Sequence, residues 1–377
     1  MKLSINRKEL VKALQQVKPF ISTKAPLRDI PAFQQVLLKT NVDQLTITGT
    51  NLDNSIKVMV PCVTPSDCAI DTVCVQHKEF LASIKALTGD TVELYVTGEP
   101  QNVMSIMTGS GGSLSGLSIP TFDIEEYPQV KFPSTSALYT AVTPNLMSAL
   151  SRAVKFTAKE RIRITLTGVY LELGAESATV TATDGHRLST VKVPMFESAS
   201  SSYILQTFPI IQAAKRKVSW NILTEPELIS FSAPGIEIAS KTIDGPYPDY
   251  KQVIPDNSEL DKTCIVERAT LLTANNAILP CANKITNQGI YDFSPSGLHM
   301  SANNLDNGMK AEQSIGGTYT GDKLRIGLNI NYLNDILNSI DSELITWALT
   351  SPTSASLIWP TENADELYLI MPLRLHE

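Results

Sequence analysis

Three stretches of the chain place apolar residues at the three- and four-residue spacing of an amphipathic helix. They begin near Asn6, Thr143 and Glu267, and their sequences are ELVKALQQV, NLMSALSRAV and TLLTANNAIL. Segments in which apolar and polar residues alternate follow each stretch, as in LTITGT at 45–50, and this alternation predicts half-buried strands. A second amphipathic stretch then follows, so the order of helix, strands and helix occurs three times.

Equivalent positions of these three blocks recur in the same order, at offsets of 120–136 residues. The largest offset is from Leu10 to Leu146, and the smallest is from Thr183 to Asn303. The full set of markers is Leu10, Leu146 and Leu271 in the first helix, Thr50, Thr183 and Asn303 in the central turn, and Val75, Leu205 and Leu328 before the second helix. Such periodicity predicts three copies of one domain.

Two proline-containing stretches, at 118–133 and 242–255, resemble each other and mark the ends of the first two copies. Proline fixes φ and disfavours helix in the preceding residue, so both stretches are predicted to be extended, rigid joints. We therefore expect an α+β protein with domains at 1–125, 126–256 and 257–377. In each domain, two helices should pack on antiparallel sheets.

Residues at the ends of the helical stretches predict where the helices begin. Asn6 followed by Glu9 is typical of a capped N-terminus, and Thr143 followed by Pro144 places a cap before a proline in the first turn. In the last helix, the predicted inner face consists of Tyr332, Leu333, Ile336, Leu337 and Ile340. Its predicted outer face consists of Asn331, Asn334, Asp335 and Asn338.

The composition fits a soluble protein large enough for three cores, with 377 residues of which 43% are hydrophobic. No apolar run reaches the roughly 18 residues of a membrane span, and the N-terminus lacks the apolar segment of a secretory signal. We therefore expect a cytoplasmic protein with no membrane partner. The five cysteines lack metal-ligand spacing, so reduced, packed thiols are expected rather than a metal site. They are Cys62, Cys68, Cys74, Cys264 and Cys281.

The net charge of −7 argues against a protein that grips nucleic acid by its bulk charge, since phosphate neutralisation drives that kind of affinity. The glycine- and serine-rich segment TGSGGSLSG at 108–116 lacks the Gly-Lys-Ser/Thr ending of a phosphate-binding loop. We interpret it as a hairpin loop.

The turn after the central strand differs between the copies: it is TNLD at 50–53, NNLD at 303–306 and TDGHRL at 183–188. Asp-Gly is itself a tight-turn signal, whereas His186 and Arg187 indicate that the second copy is specialised. An enzyme could use Asp184 and His186 as a dyad, with Ser189 or Thr190 as nucleophile. No third orienting group or nucleophile elbow accompanies them, so no catalytic residue is assigned.

The order and sequence of these segments resemble the bacterial DNA polymerase III beta subunit, the sliding clamp family. The segments that carry the resemblance are MKLSINRKELVKALQQV, VTATDGHRLST, GPYPDYKQVIP, LNINYLNDILNSI and the closing LIMPLRL, and together they span essentially the whole chain. The resemblance implies a non-catalytic processivity factor with the DNA-clamp fold and no cofactor. It also implies a head-to-tail homodimer that closes a ring around duplex DNA, which would leave no sheet edge exposed.

The resemblance further implies that helices line the hole of the ring. Because enclosure retains the DNA, weak and delocalised attraction suffices there, and tight phosphate contacts would hinder sliding. Each basic residue also fits an ordinary solvated helix face, but as a set they favour a positive inner surface. The DNA-facing candidates are Arg7, Lys8, Lys12, Lys24, Arg28, Arg152, Lys155, Lys159, Lys215, Arg216 and Lys217.

In this family, the second copy and the C-terminal tail form a pocket for short peptides of polymerases and other replication factors. The matching positions are Leu166, Thr183, Gly185, His186, Arg187, Leu188, Pro248, Val253, Leu369, Met371, Pro372, Leu373 and Arg374, with Arg163 beside them. An apolar lining with flexible methionine suits varied apolar anchors, although the same residues could be core at a domain joint. Three departures are Gln252, where the family commonly has a basic residue, His376–Glu377 beyond the usual end, and the unusually Gly/Ser-rich segment at 108–116, where the protomers should meet.

The same matching places Ile278 and Leu279 of one protomer near Leu114 of the other at the dimer interface. The implied partners are a second copy, duplex DNA, the DNA polymerase III alpha subunit, other polymerases and the clamp loader complex. Two alternatives from other classes remain. One is a hydrolase that uses Asp184 and His186, and the other is a repeat-built interaction scaffold that never meets DNA.

Overall fold

The chain folds into two compact units in a computed structural model. The first unit consists of Met1–Val142 and Lys215–Thr242, and the second consists of Thr143–Ala214 and Ile243–Glu377. The division therefore falls inside the second sequence copy, whose two halves belong to different units. The structure describes residues 2–21, 30–65, 72–97, 103–110, 113–134, 138–160, 162–195, 200–256, 258, 260–304 and 308–375.

The described residues contain six α-helices and 25 strands. The helices are α1 (Arg7–Val17), α2 (His77–Ala86), α3 (Pro144–Ala153), α4 (Thr207–Ala214), α5 (Arg268–Ile278) and α6 (Ile330–Leu337). The strands are β1 (Lys2–Asn6), β2 (Gln35–Asn41), β3 (Gln44–Thr50), β4 (Asn54–Val63), β5 (Thr72–Gln76), β6 (Thr91–Thr97), β7 (Val103–Ser110), β8 (Ser113–Phe122), β9 (Leu138–Val142), β10 (Val169–Leu173), β11 (Ser177–Thr183), β12 (Arg187–Pro194), β13 (Ser201–Leu205), β14 (Trp220–Glu225), β15 (Leu228–Ala233), β16 (Ile236–Lys241), β17 (Lys262–Glu267), β18 (Gln288–Ser294), β19 (Gly297–Asn304), β20 (Met309–Ile315), β21 (Thr318–Thr320), β22 (Leu324–Asn329), β23 (Leu344–Leu349), β24 (Ser356–Pro360) and β25 (Glu366–Ile370).

The first unit contains one antiparallel sheet in the order β1-β6-β7-β8-β5-β2-β3-β4-β16-β15-β14-β9. Strands from the first and second copies meet at β4 and β16, where Ile56 is opposite Ile238. The pair α1 and α2 packs against this sheet. The apolar stripe of α1 is fully buried at Leu10 and Leu14, as its spacing predicted.

The second unit contains a nine-stranded sheet, β13-β10-β11-β12-β25-β24-β23-β17-β21, and a four-stranded sheet, β20-β19-β18-β22. Strands from the second and third copies meet at β12 and β25, so a shared sheet joins successive copies here as it does in the first unit. The pair α3 and α4 packs together, as does the pair α5 and α6. The prediction of two helices on antiparallel sheets in each copy is confirmed.

The predicted helix starts are confirmed by their hydrogen bonds. The Asn6 side chain accepts the N–H groups of Lys8 and Glu9, and Thr143 Oγ1 accepts the N–H of Leu146. Such caps satisfy main-chain donors that have no partner within the helix. The glycine- and serine-rich segment belongs to a hairpin, as predicted, but its described residues are strand rather than loop, because they lie in β7 and β8 and are paired up to Ser110 and Ser113.

The predicted outer face of the last helix is wrong at one position. Asn334 is 8% exposed, because its amide donates to Asn276 Oδ1 and its carbonyl oxygen accepts from Asn275 Nδ2, both at 3.0 Å. The hydroxyl of Tyr291 extends this chain by donating to Asn275 Oδ1 at 2.9 Å. A polar residue is tolerated between α5 and α6 because each buried group has a partner.

A buried tyrosine anchors each proline-containing joint. Tyr127 and Tyr250 are both 7% exposed. The hydroxyl of Tyr127 donates to the carbonyl of Thr48 at 3.0 Å, and that of Tyr250 donates to Glu172 at 2.8 Å. These contacts favour rigid joints over flexible tethers. In the described part of the chain, no helix has the length and apolarity needed to cross a membrane.

Candidate peptide-binding site

The turn at 183–188 is held by the side chains of its own first residues. Oγ1 of Thr183 donates to the carbonyl of Arg187 at 2.7 Å and accepts the N–H of Gly185 at 3.1 Å. Oδ1 of Asp184 accepts the N–H groups of His186 and Arg187. Gly185 has a φ of +88°, in the left-handed region that glycine enters without steric cost.

The first copy forms the same turn from a different sequence. Oγ1 of Thr50 donates to the carbonyl of Asn54 and accepts the N–H of Leu52, while Oδ1 of Asn51 accepts the N–H of Asn54 at 2.9 Å. Leu52 has a φ of +79°, at the position of Gly185. The turn alone therefore explains Asp184 and its glycine, as expected, and the specialised residues are those at the next two positions.

Arg187 is buried, and its side chain contacts three separate segments of the second unit. Its guanidinium donates from Nε to Asp184 at 3.0 Å, from Nη1 to Asp335 on α6 at 2.6 Å, and from Nη2 to the carbonyl of Lys155 at 2.7 Å. It also lies 4.4 Å from the centre of the Tyr332 ring. Arg187 is only 5% exposed, so it supports the candidate site rather than offering its charge to a ligand. Sequence reasoning missed Asp335, because no local pattern links it to a residue 148 positions away.

The geometry does not assemble the hydrolase that the sequence left open. The carboxylate of Asp184 is committed to main-chain N–H groups and to Arg187. The His186 ring is exposed and lies 6.2 Å from the Tyr332 ring, nearly parallel to it. Ser189 is 1% exposed, so it is closed to a substrate. The His186 main chain instead anchors the C-terminal tail.

The tail is tied to the second unit by three main-chain contacts. The N–H of Met371 donates to the carbonyl of His186 at 2.9 Å, and the N–H of Leu373 donates to that of Gly327 at 2.7 Å. The carbonyl of Arg374 accepts from the Gln288 side chain at 3.1 Å. Met371 remains 41% exposed beside the His186 turn, where its flexible side chain can meet a ligand.

The floor of the candidate site is apolar. Leu188 and Leu369 are paired across β12 and β25 and are 1% and 3% exposed. They form a buried cluster with Tyr250 and Leu357. Around this cluster the partly buried residues are Tyr170, Tyr247, Ile254, Leu260, Ala355, Trp359 and Leu367. The structure therefore brings together the two strand leucines that the family resemblance named.

Four further residues named for the pocket lie on two other segments. Pro248 and Val253 are exposed on the second proline-containing joint, with Val253 at 55%. Leu166 is 3% exposed on the short helix Ile164–Thr167, and Arg163 is exposed at its start. This pair belongs to a segment separate from the buried cluster.

Three tyrosines near the floor were missed by sequence reasoning, although two of them lie in the GPYPDY segment. The rings of Tyr170 and Tyr247 stack in parallel with centres 4.7 Å apart, and the Tyr250 ring meets Tyr170 edge-on. Burial, ahead of the effect of neighbouring Glu172, raises the pKa of Tyr250 to about 12, so this hydroxyl stays a neutral donor. At the rim, the Gln252 amide donates to Asp249 at 2.9 Å. His376 and Glu377 lie outside the described residues.

The DNA-facing candidates fall into two groups. Lys8, Lys12, Lys155, Lys159, Lys215 and Lys217 are exposed. The arginines Arg7, Arg152 and Arg216 are half-buried, and each donates to a main-chain carbonyl of its own unit. The acceptors are Gly89, Ser339 and Gln16, respectively. The lysines are therefore the better candidates for contact with phosphates, while Lys24 and Arg28 lie outside the described residues.

The residues named for the dimer interface differ in accessibility. Ile278 is 0% exposed within its own unit, whereas Leu279 is half-buried. Leu114 lies near the start of β8 and is opposite Gly109 of β7. Of the adjacent pair, only Leu279 offers side-chain surface to a second chain. Among the described residues there is no group of three or more potential metal ligands, and the described cysteines are free thiols.

Three domain profiles of one protein family match successive parts of the chain. The N-terminal domain of the DNA polymerase III beta subunit matches residues 1–131, its central domain matches 141–249, and its C-terminal domain matches 251–374. The beta sliding clamp of Haemophilus influenzae is 28% identical over 394 residues, and that of Escherichia coli K12 is 27% identical over 387 residues. In both comparisons 100% of each chain is covered.

Solved structures show the same full-length similarity. The DNA polymerase III subunit beta of Pseudomonas aeruginosa matches with a TM-score of 0.89 at 25% identity, covering 99% of this chain and 100% of that one. The beta subunit of Streptococcus pyogenes DNA polymerase shares the fold, with a TM-score of 0.90 at 21% identity and 100% coverage of both chains. The predicted clamp fold is thereby confirmed, and the chain belongs to the DNA polymerase III beta subunit family.

Proposed function

We propose that this protein is a DNA sliding clamp, a non-catalytic processivity factor that encircles duplex DNA and tethers the replicative polymerase. The observation that carries the proposal is the similarity to beta sliding clamps over the whole chain, in all three domains. The protein would act in the cytoplasm, where the clamp loader complex places it on DNA. No observation supports the alternatives of a hydrolase or a scaffold that never meets DNA.

A head-to-tail homodimer is the proposed ring. In the second unit, β20 is an outer strand of its sheet. In the first unit, the pairing of β8 with β5 involves, among the described residues, only Phe122 and Thr121 of β8. Strands in such positions can accept a further strand from another chain. Leu279 of one protomer and Leu114 of its partner would supply the apolar contact.

The exposed lysines are proposed to attract DNA without fixing it. Lysine is a flexible point charge with a long side chain, so it can exchange one phosphate for the next. Because each lysine–phosphate contact would be weak, the duplex would be retained by the closed ring rather than by binding affinity. Such weak attraction is compatible with a net charge of −7.

The candidate site around Leu188, Leu369 and Met371 is proposed to bind a linear peptide of the DNA polymerase III alpha subunit, of other polymerases and of the clamp loader. Its buried apolar floor, exposed methionine and two exposed side chains on the joint suit apolar anchors of an extended segment. Arg187 positions the floor by joining the turn to α6.

The ring proposal is tested by topology. The protein is loaded on a nicked circular plasmid with clamp loader and ATP, isolated by gel filtration, and the plasmid is then cut once. A ring stays on the circular plasmid and slides off the ends of the linear plasmid, whereas a groove-binding protein stays bound to both forms. Retention after cutting, or no loading at all with an active loader, would contradict the proposal.

The peptide site is tested separately. Met371→Glu should abolish binding of a polymerase peptide while leaving the dimer mass unchanged in sedimentation, and Met371→Leu is the matched control that should retain binding. Unchanged peptide affinity in Met371→Glu would remove the assignment.

A further inference from the structure

An apolar surface continues from the floor of the candidate site along one face of the nine-stranded sheet. Leu188 of β12, Leu369 of β25 and Leu357 of β24 form one row across three strands, because Leu369 is paired with both of the others. Two positions further along their strands, Leu367 and Trp359 share this face. The row itself is buried, whereas these last two side chains are half-buried.

These two side chains line a surface cavity of about 480 Å³, here called the Trp359 pocket. Its lining consists of Ile254, Pro255, Asp256, Leu357, Trp359, Ala364 and Leu367. Its volume lies within the range of about 300–1,000 Å³ that is typical of ligand pockets. Because Leu357 belongs both to this pocket and to the buried cluster under the candidate site, the two sites are continuous.

The first unit provides an internal reference for this face. Its strands β4, β16 and β15 follow the matched turn in the same register as β12, β25 and β24. In that register, Leu188, Leu369, Leu357, Leu367 and Trp359 correspond to Ser55, Ala239, Ser230, Glu237 and Ser232. The equivalent face is therefore made of small and polar residues.

Polar contacts hold that reference face together. Glu237 pairs with Lys57 at 3.2 Å and accepts a hydrogen bond from Ser230 at 2.9 Å. The sheet architecture thus does not require large apolar side chains at these positions. Apolar area contributes only when it is removed from water, by roughly 25 cal/mol per Å². Trp359 and Leu367 are only half-buried by the fold, so a ligand that covers their remaining apolar surface would add binding free energy.

The charge around the Trp359 pocket indicates what kind of segment would cover it. Asp256 is the charged member of the described lining, and Ala364 lies in a turn with exposed Glu362 and Asp365. Hydrogen bonds from Ser258 lower the pKa of Asp256, so its carboxylate is ionised at neutral pH. A neighbouring cation on the ligand would be favoured.

We propose that the Trp359 pocket binds residues that flank the pocket-binding peptide of a partner polymerase, namely a large apolar side chain next to lysine or arginine. The inference rests on the proposed peptide site, because a peptide bound there can extend along the continuous surface and bring its flanking residues to Trp359. It makes the pocket a determinant of which partner peptides bind most tightly.

The probe is the polymerase segment that binds best in an array of overlapping 15-residue peptides from the replicative polymerase of the same organism. It is resynthesised with Phe-Lys, Phe-Glu or Ser-Ser added at either end, and affinities are measured by fluorescence anisotropy. At the productive end, Phe-Lys should bind the wild-type chain about tenfold more tightly than Ser-Ser, as burial of one aromatic side chain predicts. Replacing Lys by Glu should weaken binding about two- to fivefold.

Trp359→Ser and Leu367→Glu introduce the residues of the first unit and should reduce the ratio of Phe-Lys to Ser-Ser affinity to about one, whereas general damage to the peptide site would weaken both peptides equally. Asp256→Asn changes an exposed residue outside the core and should remove the discrimination between Lys and Glu. If Phe-Lys binds wild type no better than Ser-Ser, the inference is overturned and the peptide site stands. If no polymerase peptide binds wild type, both are overturned. Self-association beyond the dimer that Trp359→Ser removes would identify a second copy as the occupant and also overturn it.

Discussion

Replacing Arg187 with methionine tests whether the specialised turn stabilises the second unit through the contacts of the Arg187 guanidinium. Methionine keeps much of the apolar stem but removes the guanidinium from Asp184, Asp335 and the carbonyl of Lys155. Removing one partner of a buried ion pair costs about 3–5 kcal/mol, because a buried charge is left uncompensated. The Asp335 side chain is 42% exposed and can rehydrate, and Asp184 keeps two main-chain donors. We therefore expect a loss near the lower bound, about 3 kcal/mol.

Hydrogen exchange measured by mass spectrometry resolves this loss by segment, which matters because a chain of two units need not unfold in one step. A loss of about 3 kcal/mol should speed exchange by roughly 100-fold for amides of β12 and α6 whose opening breaks this contact. The matched control is Arg325→Met, since Arg325 is 61% exposed and its partner Asp292 lies 3.7 Å away. Exposed pairs of this kind contribute at most about 1 kcal/mol.

A double variant identifies the source of the cost. Adding Asp184→Asn to Arg187→Met removes the uncompensated carboxylate while keeping an oxygen that can accept the turn's N–H groups, so part of the stability should return. The reasoning would be refuted if Arg187→Met exchanged no faster than the Arg325 control. It would also be refuted if the double variant were less protected than the single one.

Three further outcomes are expected. Leu52→Gly should stabilise the first unit by about 1 kcal/mol, because a non-glycine residue is strained at positive φ. For the same reason Gly185→Ala should destabilise the second unit by a similar amount. Melting temperatures check both variants and should shift in opposite directions. Leu279→Asp should yield folded monomers in sedimentation velocity, and a fully dimeric Leu279→Asp would contradict the proposed interface. Ile278→Ala is instead a core truncation and should lower the free energy of unfolding by about 2–5 kcal/mol. Burial lowers the pKa of His77, so its contribution to stability is present above the unfolded pKa of about 6.5 and is lost as pH falls through the folded pKa. A His77→Gln variant should lose that slope in melts between about pH 8 and pH 5, and an unchanged slope would assign it to another group.

The sequence by itself determined the elements that depend on local pattern. The stripe of Leu10 and Leu14, the caps at Asn6 and Thr143, and the recurrence of the blocks all report on neighbours a few residues apart. Such interactions repeat with the period of the helix or strand and can therefore be read from the chain. Asn334 shows the limit, because its burial depends on partners 58 and 59 positions away.

Only the tertiary structure decided what the specialised residues do. It placed Arg187 against Asp335, buried Ile278 and left Leu279 accessible, and aligned Leu188, Leu369 and Leu357 in one row from strands of two sequence copies. It also divided the second copy between two units. The physical reason is that strand register and ion-pair partners are set by contacts between distant segments, and these leave no periodic trace in the local sequence.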